Sequence, residues 1–250
     1  MEEAGNWKFL PDGKIELMFR IGNSGGIKLT SSRMRNGQNN PGSNFCFLAG
    51  FATSPVQISF EKLHFISIQM NPLALKALFG IPAFELKDFA IAGDLIISNL
   101  SEIEDKINEL PTFYHRAKWL ESHFLSRIKL SVELNTALGI HRLTQKLSQN
   151  NYTYPVKKVD EFLGYSKTQT YRIFNEWLGL SAGKYQRMMR FTKTLNHLHF
   201  SEDSLSLTEV GLQLGFFDQA HFIHSFKEFA GITPGKYQKI KSQIPGYLIL

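Results

Sequence analysis

The sequence predicts an α+β N-terminal domain, a partial antiparallel β barrel with helices, followed by an all-α C-terminal domain holding two helix-turn-helix units. Three observations carry this expectation: short strand-like runs before Asn71, helical periodicity after residue 130, and an internal repeat within that helical part. With 250 residues, 43% of them hydrophobic, the chain can bury two cores, and the expected division is residues 1–130 and 131–250.

The strand-like runs are KIELMFRIG from Lys14, GGIKLTSSR from Gly25, NFCFLAGF from Asn44, VQISF from Val56 and HFISIQM from His64. Gly, Asn, Pro and Ser clusters separate them, as turns require. After Asn71-Pro72 the pattern turns helical, and LALKALFG from Leu73 ends at Gly80 with Pro82 beyond it. A longer helical stretch, Ser101 to Lys129, is broken near Pro111. Its residues Ile103, Ile107, Leu110, Phe113, Ala117, Leu120, Phe124 and Ile128 recur at three and four and form one apolar face. That face packs on the barrel or serves as a dimer helix.

From Ser131 the chain reads as helical and repeats itself. VKKVDEFLGYSKTQTYRIFNEWLGLSAGKYQ begins at Val156, and LTEVGLQLGFFDQAHFIHSFKEFAGITPGKYQ begins at Leu207. Val156, Val159, Leu163 and Gly164 match Leu207, Val210, Leu214 and Gly215 at an offset of 51. Phe174, Gly179, Gly183, Lys184 and Tyr185 match Phe226, Gly231, Gly235, Lys236 and Tyr237 at an offset of 52, so the second turn is one residue longer. In each copy a short helix ends at a glycine, and a capping residue type, Ser166 or Asp218, starts the next helix. These second helices, about 167–178 and 219–229, bury Ile173, Phe174, Trp177 and Leu178, or Phe222, Phe226 and Phe229. They turn Lys167, Thr168, Gln169 and Arg172, or Gln219, Ala220 and His224, outward. Helix, tight turn and helix with a polar outer face is the geometry that enters a DNA major groove. The linking helix, Ala182 to His199, spans roughly 27 Å at about 1.5 Å per residue, against a groove repeat of roughly 34 Å. One chain is thus expected to offer two recognition helices to successive grooves.

Charge agrees with this. The formal net charge is +6, and from Ser131 onward 14 Lys and Arg face 9 Asp and Glu, which places +5 in the helical part. Such a surplus suits an anionic partner. An enzyme is not expected, and no catalytic, cofactor or metal residue is assigned. The strand region holds only Cys46 and His64 as nitrogen or sulfur ligands, and no phosphate-cradling Gly-Lys-Ser/Thr loop or dinucleotide fingerprint occurs. Gly22, Gly25 and Gly26 sit between strand-like runs rather than before a helix. A single cysteine excludes an internal disulfide, and Cys46 in an apolar strand reads as packing. The opening residues do not form a secretory signal, and no run of about 18 uncharged apolar residues is present, so a cytoplasmic protein away from membranes is expected.

About 100 residues, from near Ser131 to Lys241, resemble the AraC/XylS family of transcriptional regulators. The signature lies in the second unit, residues 207–241: Gly215-Phe216 at the turn, Phe226-Lys227 in the second helix, and Gly231, Thr233, Pro234 and Tyr237 after it. Thr233 as N-cap with Pro234 in the first helical position also makes sense by itself. Leu10-Pro11-Asp12-Gly13 followed by Glu16-Leu17, and the segment QMNPLALKALFGIPAFELKD, resemble the N-terminal domain of the branch that carries Pro-Asp-Gly. The chain starts close to that element, so a strand or two of the barrel is expected to be missing.

The resemblance implies sequence-specific binding to double-stranded DNA, activation more often than repression, and contact with RNA polymerase. It also implies an N-terminal domain that senses a small-molecule effector or mediates homodimerisation. Thr168 and Arg172, with Gln219, Ala220 and His224, correspond to positions facing bases or phosphates; arginine reads guanine and glutamine reads adenine. Lys167, Lys184, Lys227 and Lys236 are candidate phosphate contacts, which fix register without reading sequence. Tyr171 and Ile223 either touch thymine methyl groups or pack on a neighbouring helix. Asp160 stands where relatives carry a small residue, Thr170 where they carry an apolar one, and His224 where an arginine is common. A buried polar group left unpaired costs about 1–3 kcal/mol, so the first unit is expected to be the looser. The competing reading is an interaction or architectural protein with a degenerate first unit.

Overall fold

The structure is a computed structural model that describes residues 2–22, 27–29, 46–127, 132–200, 206–243 and 245–249. Gly25 and Gly26, Thr30 to Arg33, Asn44 and Phe45, and Ile128 with Lys129 and Ser131 from the expectations above lie outside them.

Among the described residues two four-stranded antiparallel sheets are stacked in the N-terminal half. The first has the order β3 (Ile27–Leu29), β5 (Val56–Leu63), β1 (Glu2–Phe9), β8 (Tyr247–Ile249). The second has the order β6 (Phe65–Met70), β2 (Ile15–Arg20), β4 (Cys46–Ala49), β7 (Ala90–Ala92). Alternation sorts the side chains of β2 and β4. Ile15, Leu17, Phe19, Cys46 and Leu48 face the helices, while Met18 and Phe47 face the other sheet. The second sheet is therefore covered on both faces, and this explains why its strands read as nearly continuous apolar runs. Cys46 is buried beneath Gly93, and burial pushes its thiol well above the usual range, so it packs and does not react.

Five of these strands match the expected runs, and three are additional. β1 has little β-branched or alternating character, and β7 and β8 are too short to show a period. β8 corrects the expectation of a purely helical C-terminal part: it crosses back to pair with β1, with Trp7 opposite Ile249 and Phe9 opposite Tyr247. The Tyr247 ring lies edge-on to Phe9 and Trp7, at 4.6 and 5.8 Å between centroids. The first sheet is thus completed from the far end of the chain.

The helices are α1 (Leu73–Phe79), α2 (Leu100–Glu109), α3 (Phe113–Leu125), α4 (Val132–Gln149), α5 (Val156–Leu163), α6 (Lys167–Leu178), α7 (Ala182–Phe200), α8 (Leu207–Gln213), α9 (Gln219–Ala230) and α10 (Pro234–Ile240). Leu120 and Phe124 of α3 are buried, and Phe124 meets Phe19 and Phe79, so the apolar face packs on the second sheet. Phe113 departs from that face and is 72% exposed. Thr112 caps a new helix after Pro111, which breaks the phase between α2 and α3 and leaves Phe113 projecting from the first turn.

One buried cluster runs from β2 and β4 through α6, α7 and α9. At the junction α6 packs against α1 and the turn Ala83–Glu85, Lys76 forms an ion pair with Glu176, and the Lys76 ammonium lies 4.9 Å from the Trp177 ring centre. Gly179 ends α6 with φ +67° and presses on the Phe51 ring. Only glycine fits, because a Cβ there would lie 2.5 Å from that ring. Gly164 ends α5 with a similar φ of +69°, but among the described residues no atom lies within 4 Å of where its Cβ would be. Gly164→Ala is expected to cost about 1–2 kcal/mol from left-handed strain alone. Gly179→Ala carries the same strain plus the overlap, so its urea midpoint should fall clearly further; equal shifts would show that the junction is not tightly packed.

Candidate nucleic-acid interface

In the first unit α5 ends at Gly164, the Ser166 hydroxyl accepts the Gln169 N–H at 3.3 Å, and α6 begins. In the second, the Ser206–Glu209 capping box opens α8, Gly215 turns the chain at φ +81°, and the Asp218 carboxylate accepts the His221 N–H at 2.7 Å to start α9. Thr233 caps α10 ahead of Pro234 by accepting the Lys236 N–H. These caps satisfy backbone donors that the helix itself leaves free and fix where each helix begins.

Between the units α7 runs unbroken for 19 residues, about 28 Å at the α-helical rise. Tyr185, Met188, Leu195 and Leu198 are buried, Met189 is half-buried, and Phe191 stacks on Phe229 at 5.3 Å and packs on Phe226 at 5.1 Å. Arg190 has no counterpart in the sequence expectations. Its guanidinium donates to the carbonyls of Tyr152 and, at 3.5 Å, Gly215, and it lies over the Phe216 ring, which ties the loop before α5 to the turn before α9. Burial pulls its pKa below the usual arginine value. Asn151 and Lys193 add to this tie: the Asn151 amide donates to the Gln213 carbonyl and its oxygen accepts from Lys193 at 2.6 Å. A half-buried arginine in a helix bears no recognisable spacing, so only the fold reveals the role.

The sequence-selected residues divide by exposure. Lys167, Thr168 and Arg172 are exposed on α6, with Gln169 half-buried beside the cap. Gln219, Ala220, His224 and Lys227 are exposed on α9, Lys236 is exposed on α10, and Lys184 is half-buried in the first turn of α7. Tyr171 points outward at 57% exposure, whereas Ile223 is half-buried. Neither outer face lies beneath the sheets. Among the described residues no group of three His, Cys, Asp or Glu side chains could hold a metal ion, and no helix is long and apolar enough to cross a membrane.

A family profile described as a helix-turn-helix domain matches residues 161–240, and one described as a domain of unknown function (DUF6597) matches residues 2–92. The probable transcription factor PqrA of Proteus vulgaris is 31% identical over 91 residues, covering 36% of this chain and 73% of that protein. The chain belongs to the AraC family of transcriptional regulators. The uncharacterized HTH-type transcriptional regulator YtdP of Bacillus subtilis is 22% identical over 194 residues, 76% of this chain, and the chain spans only 23% of its length. ToxT of Vibrio cholerae has a similar fold, with a TM-score of 0.52 at 13% identity over 96% of this chain and 95% of that one.

Against the family pattern, the two departures in the first unit differ in cost. Thr170 is 3% exposed and its hydroxyl has no hydrogen-bond partner among the described residues, as expected for a polar group in an apolar core position. Asp160 is half-exposed and keeps access to water, so it does not pay that penalty. The matched residues of the second unit are Gly211 and Phe222, and a Cβ on Gly211 would lie 3.2 Å from the Phe222 ring. A small and a large residue at one crossing are replaced by two of middle size at the other, and Phe174 and Trp177 remain buried alongside. Thr170→Val, which keeps the shape and removes the lone hydroxyl, is expected to stabilise the chain by about 1 kcal/mol in urea denaturation. Destabilisation would mean that the hydroxyl has a partner.

Proposed function

We propose that this chain binds double-stranded DNA sequence-specifically, with α6 and α9 in successive major grooves, and regulates transcription from the bound site. The observation that carries the reading is the pair of exposed polar faces, Lys167, Thr168 and Arg172 on one helix and Gln219, Ala220 and His224 on the other, joined by one rigid buried helix. Arg172 reads a base, with Gln219 and His224 in the matching unit, while Lys167, Lys184, Lys227 and Lys236 neutralise phosphates. The basic surplus of residues 131–250 gives the affinity its salt dependence. Activation through RNA polymerase, in the cytoplasm, is the favoured outcome of binding. Residues 1–130 form the sensing or dimerising part.

Both recognition helices end against one N-terminal segment. Gly179 of α6 meets Phe51 and the Ala83 carbonyl, and Gly231 after α9 lies beside Pro55 and Lys8. Thr53 pins this segment by donating twice to Asp88, at 2.7 and 2.6 Å. On its other side Gly50, Ala52 and Val56 line a cavity of about 130 Å³ between the sheets, with Phe9, Met18, Phe47, Glu16 and Tyr247. An effector bound there would act on both helices through Phe51 to Pro55. ToxT has been solved with (E)-4-(8-methylnaphthalen-1-yl)but-3-enoic acid bound. The cavity is lined by Asp12 and Glu16, whose pKa values burial raises, and by one cation, Lys14, so its two carboxyls outnumber its single ammonium and a small apolar amine or neutral molecule suits it better than a carboxylate. Small apolar amines should raise the melting temperature of the full chain and matched carboxylates should not; the opposite ranking would refute this choice.

The DNA reading is tested by selecting duplexes from a random library with the full chain and measuring affinity against unselected duplex at several salt concentrations. Arg172→Ala is expected to weaken the selected duplex about tenfold and to relax preference at one base pair, with unselected duplex nearly unaffected. Equal binding of both proteins to selected duplex would remove Arg172 from the interface.

A further inference from the structure

The two units differ by one residue in the turn, and that residue has no evident structural task. In the first unit only Tyr165 stands between Gly164 and the cap Ser166; in the second, Phe216 and Phe217 stand between Gly215 and the cap Asp218. Phe216 fills the core: it is buried, packs against the rings of Phe222 and His221 at 5.2 and 5.5 Å, and lies under Arg190. Phe217 is 86% exposed, the most exposed of the large hydrophobic side chains described. A hydrophobic residue just before an N-cap ordinarily packs on the fourth residue of the helix. That residue is Phe222, fully buried, and its neighbour from the turn is Phe216, so the ordinary explanation does not cover Phe217.

The backbone at Phe217 is nevertheless held. Its N–H donates to His221 Nδ1 at 3.3 Å, and the next residue, Asp218, is fixed by capping α9. The side chain therefore stands at a defined place, at the N-terminal end of the recognition helix, the end that meets base edges when such a helix enters a major groove. The first unit repeats the arrangement in weaker form, since Tyr165 also directly precedes the cap and is 37% exposed. Near a major groove the apolar feature that an aromatic ring can meet is the thymine C5-methyl group.

Resting on the reading that α9 enters the major groove, we propose that Phe217 reads a thymine, packing its ring on the C5-methyl group and adding a specificity contact that the extra turn residue provides. The test uses the full chain, a duplex enriched from a random-sequence library by the wild type, and copies of that duplex with each thymine in turn replaced by deoxyuridine, which lacks only the methyl group. At one position deoxyuridine should weaken the wild type by about fourfold, the worth of burying one methyl group. The same replacement should leave Phe217→Ala unaffected, and Phe217→Ala should bind the parent duplex as weakly as the wild type binds the deoxyuridine copy. Phe217→Leu, which keeps apolar contact, should retain sensitivity to the methyl group. Equal binding by Phe217→Ala and the wild type would overturn the proposal, as would a loss in Phe217→Ala that is the same with and without the methyl group. If the wild type enriches no sequence at all, the parent reading falls and this one with it. Circular dichroism of the variants checks that the fold is retained, as expected for so exposed a side chain.

Discussion

The burial of α7 is the constraint on which the C-terminal architecture depends. Residues from Tyr185 to Leu198 are enclosed on several sides, and even two polar side chains, Gln186 and Thr194, are buried. The Thr194 hydroxyl answers this by donating back to the Arg190 carbonyl at 2.9 Å. A helix packed on so much of its circumference cannot bend without opening the core, because close-packed interiors transmit displacement rather than absorb it. The separation and relative rotation of α6 and α9 are thus set by one rigid element, and the Arg190 and Asn151 hydrogen bonds tie the loops at its flank.

The N-terminal sheets rest on that same framework. Gly13, in the Pro-Asp-Gly element, has φ +73° and sits so close to Met189 on α7 that a Cβ would approach its sulfur to 2.8 Å. Phe51 and Pro55 stand behind the C-terminal ends of the two outward helices. The sheets therefore touch the helical part from behind, at the ends opposite Ser166 and Asp218, and leave the capped ends open. The described contacts of the sheets with the outward helices thus lie at the bases of those helices and not over their faces.

Much of this was readable in the residues because each rule acts locally. Glycines at Gly164, Gly179 and Gly231 all take left-handed backbone at helix ends, and Ser166, Asp218 and Thr233 all cap. Phe222, Phe226 and Phe229 are core, as their spacing requires. What stayed hidden depends on partners distant in sequence. β1 and β8 lack a pattern of their own and become strands because each supplies the hydrogen bonds of a neighbouring edge. Arg190 looks like a surface arginine until the Tyr152 and Gly215 carbonyls converge on it. Phe113 looked like one more step in an apolar stripe until the helix restarted at Thr112. The outward polar residues were visible as a pattern, but their exposure is a tertiary fact.

The pairing of β8 with β1 also orders events in time. Leu10 donates to the Gly246 carbonyl at 2.8 Å, and Trp7 to Phe9 lie in register with Tyr247 to Ile249, so Trp7 to Leu10 must wait for residues made more than two hundred codons later. Until those emerge from the ribosome, one edge of β1 stays without its partner, and such an edge invites pairing with other nascent chains. The first sheet is finished only after both helix-turn-helix units have been translated, whereas the second is built within residues 15–92. Closing that edge of β1 is in this way a late step of synthesis.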